Sequence, residues 1–181
     1  MNEQLLINQC KQHQRRAQKK LFEELYVPAY RLARRYLVSS FDAEEALANA
    51  FIRIFNNIDQ FEYRGEGSLI KWINTIVINE CIRFLSKYKP VIVEEDVAFL
   101  IAESGFDDFS SDYDAGKIQE IIDHMPAGYR TVFSLFAMEG YSHQQIGVML
   151  NISEGTSRSQ LCKARNYIIE KLKHRTYYGT A

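Results

Sequence analysis

The sequence predicts an all-α protein: two small helical domains joined by a flexible acidic linker. Three observations carry that prediction. Apolar residues recur at three- and four-residue steps through most of the 181 residues, the spacing of one buried helix face. Only nine glycines and three prolines are present, too few turn-formers for a many-stranded sandwich or barrel. Charge is also segregated. Residues 1–89 carry 14 Lys/Arg and 10 Asp/Glu, residues 90–116 carry eight acidic residues and no basic one, and residues 117–181 carry eight basic and five acidic. Two mildly basic ends around an acidic connector suggest modules that each touch an anionic partner.

Taken in order, the first stripe is Phe22, Leu25, Tyr26, Ala29, Leu32, Ala33 and Tyr36. Pro28 falls inside it, so a kink or a helix restart is expected there. The second stripe runs Ala43, Ala46, Leu47, Ala50, Phe51, Ile54, Phe55 and Ile58, with Asp42 as N-cap and Glu45 completing a capping box. The segment FEYRGEGS, 61–68, breaks the pattern with two glycines, and Leu69, Trp72, Ile73, Ile76, Val77, Phe84 and Leu85 form a third stripe. These make a three- or four-helix core, with Trp72 placed in it. Pro90 ends the first module. Residues 91–116 are acidic and aperiodic, with the character of a linker. Helicity returns at Ile118, Ile121, Ile122 and Met125, stops at Pro126, and returns at Val132, Phe133 and Phe136 up to Gly140.

The sharpest local signal lies in the tail. Ser142 with Gln145 is an N-cap arrangement, Ile146, Met149 and Leu150 are a short apolar face, Asn151 suits a C-terminal stop, Ile152 plugs the turn, and Ser153 caps a second helix. A short helix, a tight turn and a longer helix make a helix-turn-helix. At about 100° per residue, Ser157, Leu161, Ala164, Ile168 and Leu172 share one side of the second helix. Arg158, Ser159, Cys162, Lys163 and Asn166 share the other, a set of cations, a hydroxyl and an amide suited to phosphates and base edges in a major groove.

Two stretches resemble the sigma-70 family of bacterial RNA polymerase sigma factors. MPAGYRTVFSLFAMEGYSHQQIGVMLNISEGTSRSQLCKAR resembles region 4. DAEEALANAFIRIFNNIDQF, the glycine loop and SLIKWINTIVINECIRFL resemble region 2. Both in one short chain, with only a linker between them, resemble the extracytoplasmic-function (ECF) group. The resemblance covers about residues 5–90 and 117–175. It implies domains at 1–90 (region 2), 91–116 (linker) and 117–181 (region 4), with core RNA polymerase and promoter DNA as partners.

On this resemblance the 42–58 helix would meet the β′ clamp coiled coil through Glu44, Glu45, Asn49 and Arg53, with Arg34 and Arg35 nearby. Region 4 would reach the β flap and place Arg158, Ser159, Cys162, Lys163 and Asn166 at the −35 element. The melted −10 element would be held by Tyr63, Arg64, Gly65, Glu66, Gly67 and Ser68 in the loop and by Lys71, Asn79, Arg83 and Lys87 along the following helix. An anti-sigma factor is a further partner the family commonly uses. The chain departs from the family pattern at Ala48 and Asn49, where Gln-Glu is frequent. It departs again at Ser157, where a frequent Val is missing from the core side and packing should loosen, and at Gln160, in place of a frequent Arg.

Other classes fit less of the chain. His13, His124, His143 and His174 are scattered, with no HExxH pair and no phosphate-cradling glycine loop, so no enzymatic activity, no cofactor and no metal are expected, and His143 reads as a surface residue. Cys10, Cys81 and Cys162 are too widely spaced for a zinc cluster. No apolar run nears the roughly 18 residues of a spanning helix, and the N-terminus lacks a signal-peptide pattern, so the expected location is cytoplasmic without membrane insertion. A stand-alone helix-turn-helix regulator would leave the 42–58 surface and the 61–68 loop without a role, and a protein–protein module would leave the basic face without one.

Overall fold

The computed structural model of the chain describes residues 3–88 and 115–178, with side chains over 3–87 and 116–173. Among these residues the secondary structure is helical: α1 Glu3–Lys11, α2 Arg15–Tyr36, α3 Ser40–Asn57 with a 3-10 turn at Ile58–Gln60, and α4 Ser68–Tyr88 form one unit. A second unit holds α5 Ala115–Asp123, α6 Ala127–Phe133 running into a π-helical turn at Ser134–Met138, α7 His143–Leu150 and α8 Glu154–Tyr178. Linker residues 91–114 lie outside the described residues. Its last two, 115 and 116, already belong to α5.

In the first unit α2, α3 and α4 pack against one another and α1 packs on α2 and the 3-10 turn. The expected α3 stripe is the core except at one position: Ala43, Ala46, Leu47, Ala50, Phe51, Ile54 and Ile58 are buried and Phe55 is half-buried. Two local expectations are corrected. The α3 cap is Ser39, whose hydroxyl accepts the Asp42 amide at 3.3 Å, rather than Asp42 itself. No helix restart occurs at Pro28, because α2 is one helix through it. Pro28 is exposed while Ala17 and Leu21 before it and Ala29, Leu32 and Ala33 after it are buried, so the packed face holds both halves in line despite the lost backbone donor.

Helix α1 was not expected, since its apolar signal is only Leu5, Leu6, Ile7 and Cys10, of which the last three are buried. The α4 core is Leu69, Ile73, Val77 and Leu85 of the expected stripe joined by Ile78, Cys81 and Ile82, whereas Ile76 and Phe84 are only half-buried. Burial, with the adjacent Glu80 charge, pushes the Cys81 thiol up to about 12, so it is an inert packing group.

In the second unit α8 is the central element, packed on α5, α6 and α7. Arg130 of α6 is buried and donates to the carbonyls of Met125 at 2.8 Å and Asp123 at 3.2 Å, which ties down the α5–α6 turn. Its burial lowers the guanidinium below its ordinary range, against the raising influence of Asp123.

Candidate nucleic-acid interface

The helix-turn-helix forms as its residues require. Ser142 accepts the Gln145 amide at 3.3 Å while the Gln145 side chain accepts the Ser142 amide at 2.9 Å, a reciprocal cap on α7. Asn151 ends α7 in the left-handed conformation at φ 55°, and Ser153 caps α8 by accepting the Thr156 amide at 2.9 Å. Gly147 makes the tight turn possible: a Cβ there would stand 2.8 Å from the Ile152 carbonyl oxygen. A glycine inside an eight-residue helix costs about 1 kcal/mol against alanine, and that cost is the signal of a close approach that went unread.

Ser157, Leu161, Ala164, Ile168 and Leu172 are buried, as the helix angles predict. Ser157 does not leave loose packing, because its hydroxyl shares a 2.9 Å hydrogen bond with His143 Nδ1. His143 is therefore no free surface residue. It is half-buried, its ring stacks on Phe136 at 4.5 Å, and burial, then Arg158 and Arg165, lower its pKa against the opposing pull of Glu154. Gln160 is buried too.

On the opposite side of α8, Ser159, Cys162, Lys163 and Asn166 line one shallow groove of about 320 Å³ together with Tyr129 and Tyr167. The Asn166 amide donates to Cys162 Sγ at 3.9 Å. The two tyrosines were missed, and Tyr167 is fixed by donating to the His124 carbonyl at 3.1 Å. Arg158 lies outside this groove and pairs with Glu154 one turn earlier at 2.6 Å.

In the first unit the expected −10 residues separate. Arg64, Glu66, Ser68 and Lys71 line a groove of about 610 Å³ with Phe61 and Trp72. Trp72 is corrected from core to groove wall: it is half-buried, its ring 5.1 Å from Phe61. Gly65 and Gly67 hold φ of 107° and 78°, a conformation costly for other residues. Ser68 Oγ knots the loop, donating to the Gly65 carbonyl at 2.6 Å and accepting the Arg64 amide at 3.2 Å. Tyr63 faces a different groove, beside Leu21 and Ile70. Asn79 lies on an exposed row of α4 with Lys71, Thr75 and Arg83.

Arg83 ends that row in a third groove, with Glu45, Asn49, Arg53 and Lys87. Both Arg53 and Arg83, the latter at 3.5 Å, pair with Glu80, a carboxylate only 7% exposed. Neither was expected to be a structural partner, and Glu80 was missed altogether. An acid one step from the buried stripe is visible in sequence, but its partner on α3 is not. Glu44, Glu45 and Asn49 are exposed along α3 beside Phe41 (73% exposed) and Ile52 (58% exposed). Arg34 and Arg35 occupy the last turn of α2, where cations offset the helix dipole, outside this groove.

The family model for sigma-70 region 2 matches residues 21–90, and that for sigma-70 region 4 matches 115–168. Across 156 residues the chain is 30% identical to the ECF RNA polymerase sigma factor SigW of Bacillus subtilis, covering 80% of this chain and 82% of that protein. The chain belongs to the ECF group of the sigma-70 family. This sigma factor is also 29% identical over 147 residues to SigM of Mycobacterium tuberculosis, covering 80% of this chain and 71% of that one. It is 26% identical over 151 residues to SigE of Mycolicibacterium smegmatis, covering 80% of this chain but only 58% of the length of SigE.

Two solved structures share the fold. CnrH, in complex with the cytosolic domain of CnrY, has a TM-score of 0.51 at 18% identity, covering 94% of this chain and 96% of that one. The sigma factor RpoE of Bartonella quintana, in complex with the anti-sigma factor NepR, has a TM-score of 0.51 at 22% identity, covering 86% and 98%. Among the described residues of this sigma factor, no helix is long and apolar enough to cross a membrane, and no group of three or more His, Cys, Asp and Glu side chains is placed to hold a metal ion.

Proposed function

We propose a division of labour within a sigma factor that directs core RNA polymerase to promoters. The capped helix-turn-helix carries the reading: its core side is fully packed, and Ser159, Cys162, Lys163 and Asn166 are left together on the outward side of α8. Such a helix enters the major groove of duplex DNA, where an ammonium, an amide and a hydroxyl meet base edges and phosphates. It serves the −35 element, with Arg158 reaching an adjacent phosphate once Glu154 gives it up. That exchange is cheap, because an exposed ion pair is worth about 0–1 kcal/mol.

The first unit serves the −10 element, where strands separate. The groove under the 61–68 loop pairs aromatic walls, Phe61 and Trp72, with the cations Arg64 and Lys71. Unpaired bases stack on aromatic faces and their phosphates follow positive charge. Asn79 and Arg83 extend the track along α4. The outer face of α3, with Phe41, Glu44, Glu45, Asn49 and Ile52, docks on polymerase, and its exposed apolar residues supply the desolvation that charges alone do not.

The domains are 1–90, a linker over 91–114, and a second domain from 115, two residues earlier than the sequence suggests. The protein works by binding, with no catalytic activity of its own, in the cytoplasm where polymerase is found, and an anti-sigma factor is its natural antagonist. Run-off transcription with purified core polymerase and genomic fragments tests the reading. Transcripts should appear only when this protein is added. Core polymerase that neither binds the protein nor gains a start site in its presence overturns it.

A further inference from the structure

The 61–68 loop is held from outside, by the helix the sequence did not announce. At the start of the loop, Lys11 Nζ donates to the Phe61 carbonyl at 2.6 Å, in a partly buried contact fifty residues apart in sequence. At its far end, the Gly67 amide donates to Glu3 Oε2 at 3.4 Å. Glu3 and Lys11 stand at opposite ends of α1, about 12 Å apart at 1.5 Å rise per residue, so one rigid rod spans the loop. Phe61 and Gly67 each have one further backbone tie, the Phe61 amide donating to the Ile58 carbonyl and the Lys71 amide to the Gly67 carbonyl, both at 3.1 Å, and the other ties are the loop's own. Ser68 closes it on Gly65, Arg64 pairs with Glu62 next to it, and a Cβ at Gly65 or Gly67 would meet nothing within 4 Å. A two-glycine loop in open space loses much entropy on ordering, and between its two ends its own hydrogen bonds do not fix it relative to the helical bundle. Leu6, Ile7 and Cys10 anchor α1 to that bundle.

We infer that α1 is a brace for the −10-reading loop, and that Lys11 and Glu3 are positioning residues for base recognition there. Neither contacts DNA. Lys11 fixes the Phe61 carbonyl at the groove that Arg64, Lys71 and Trp72 line, and Glu3 fixes the Gly67 amide at the neighbouring groove that Tyr63 faces, so the loop between them keeps one shape against which bases are discriminated. Both residues lie outside the 21–90 stretch that matches the region 2 family model. The inference rests on the assignment of the loop to the −10 element.

The test uses holoenzyme on forked templates, derived from a promoter this protein activates, that differ at single −10 bases of the exposed strand. Lys11→Met should reduce the affinity ratio between preferred and other bases roughly three- to tenfold, the size of one lost hydrogen bond. Core affinity and the −35 footprint should stay unchanged. Lys11→Arg should keep the ratio, because a guanidinium still donates to the Phe61 carbonyl. Glu3→Ala should lower the ratio too, and it carries the test if Lys11→Met melts the first unit. Wild-type ratios in both Lys11→Met and Glu3→Ala, or an equal loss on every template, overturn the brace. Arg64→Ala separates the two levels. If it alters base preference while both α1 variants do not, only the brace fails. If wild-type holoenzyme shows no −10 preference, or Arg64→Ala leaves that preference intact, the loop assignment fails and takes the brace with it.

Discussion

The two units present polar surfaces built in opposite ways. In the second, the outward residues Ser159, Cys162, Lys163 and Asn166 come from a single helix, and Tyr129 is the one groove wall from elsewhere. In the first, the loop groove depends on α4, on the 3-10 turn that leads into it and on α1, while Arg53 of α3 and Arg83 of α4 share the buried Glu80. The difference teaches that a face on one helix is set by local register alone. A composite face is set by whichever side chains the packing brings to a common partner. Substitutions should therefore stay local in the second unit and spread in the first.

The largest expected effect tests the scaffold of the second unit. Gly147→Ala brings a methyl group to 2.8 Å from the Ile152 carbonyl oxygen, so the backbone of the turn must shift. Overpacking costs of about 3 kcal/mol, less about 1 kcal/mol of better helix propensity, leave a net loss near 2 kcal/mol. Amide exchange in α7 and α8 should quicken while α2–α4 keep their protection. A thermal midpoint equal to wild type would mean the turn relaxes freely.

Next in size is Lys163→Ala, which should weaken −35 duplex binding roughly tenfold and lower the salt slope by about 1. Core binding and −10 opening on a pre-melted template should not change. Arg158→Ala should cost less, since Arg158 is shared with Glu154 in the free protein. Equal or reversed losses would move the centre of the reading face one turn toward the N-terminus of α8.

A smaller stability cost but a wider functional spread is expected for Glu80→Gln. Losing a charge-assisted pair costs about 1.5–3 kcal/mol when buried. Both arginines are about half exposed (46% and 56%) and rehydrate, so about 1 kcal/mol is expected in unfolding. Both core binding and −10 opening should fall, with Glu80→Asp intermediate. A variant that loses only one of the two functions would show that Arg53 and Arg83 act independently.

The smallest effect is a pH dependence centred on His143. Its folded pKa lies below its ordinary value of about 6.5, chiefly through burial. Below that value the unfolded chain takes up a proton that the folded ring resists, so the second unit should lose stability as pH falls from about 6.5 toward the folded pKa. Above pH 7 the contribution is fully present. His143→Phe, which keeps the ring packing on Phe136, should flatten the profile in that window. An unchanged profile would place the titration elsewhere.

The sequence by itself determined the helices of both units, with α1 and the passage through Pro28 as exceptions, and nearly all of the helix-turn-helix. Caps, a left-handed stop and a 3.6-residue stripe are local: each residue's role follows from neighbours at most four positions away. Helix α1 escaped because four apolar residues in nine, one of them exposed, make too short a stripe, and α2 ran through Pro28 because burial on both sides outweighs one absent donor. Only the tertiary structure decided that Trp72 walls a groove, that Tyr63 and Arg64 face different ways, that Arg83 sits with Arg53 on Glu80, and that Lys11 reaches Phe61. Each of those depends on a contact between helices, and pairing across such distances in the chain leaves no periodic trace in the sequence, because any of several cations on a helix face can satisfy a buried carboxylate or an open carbonyl until packing selects one.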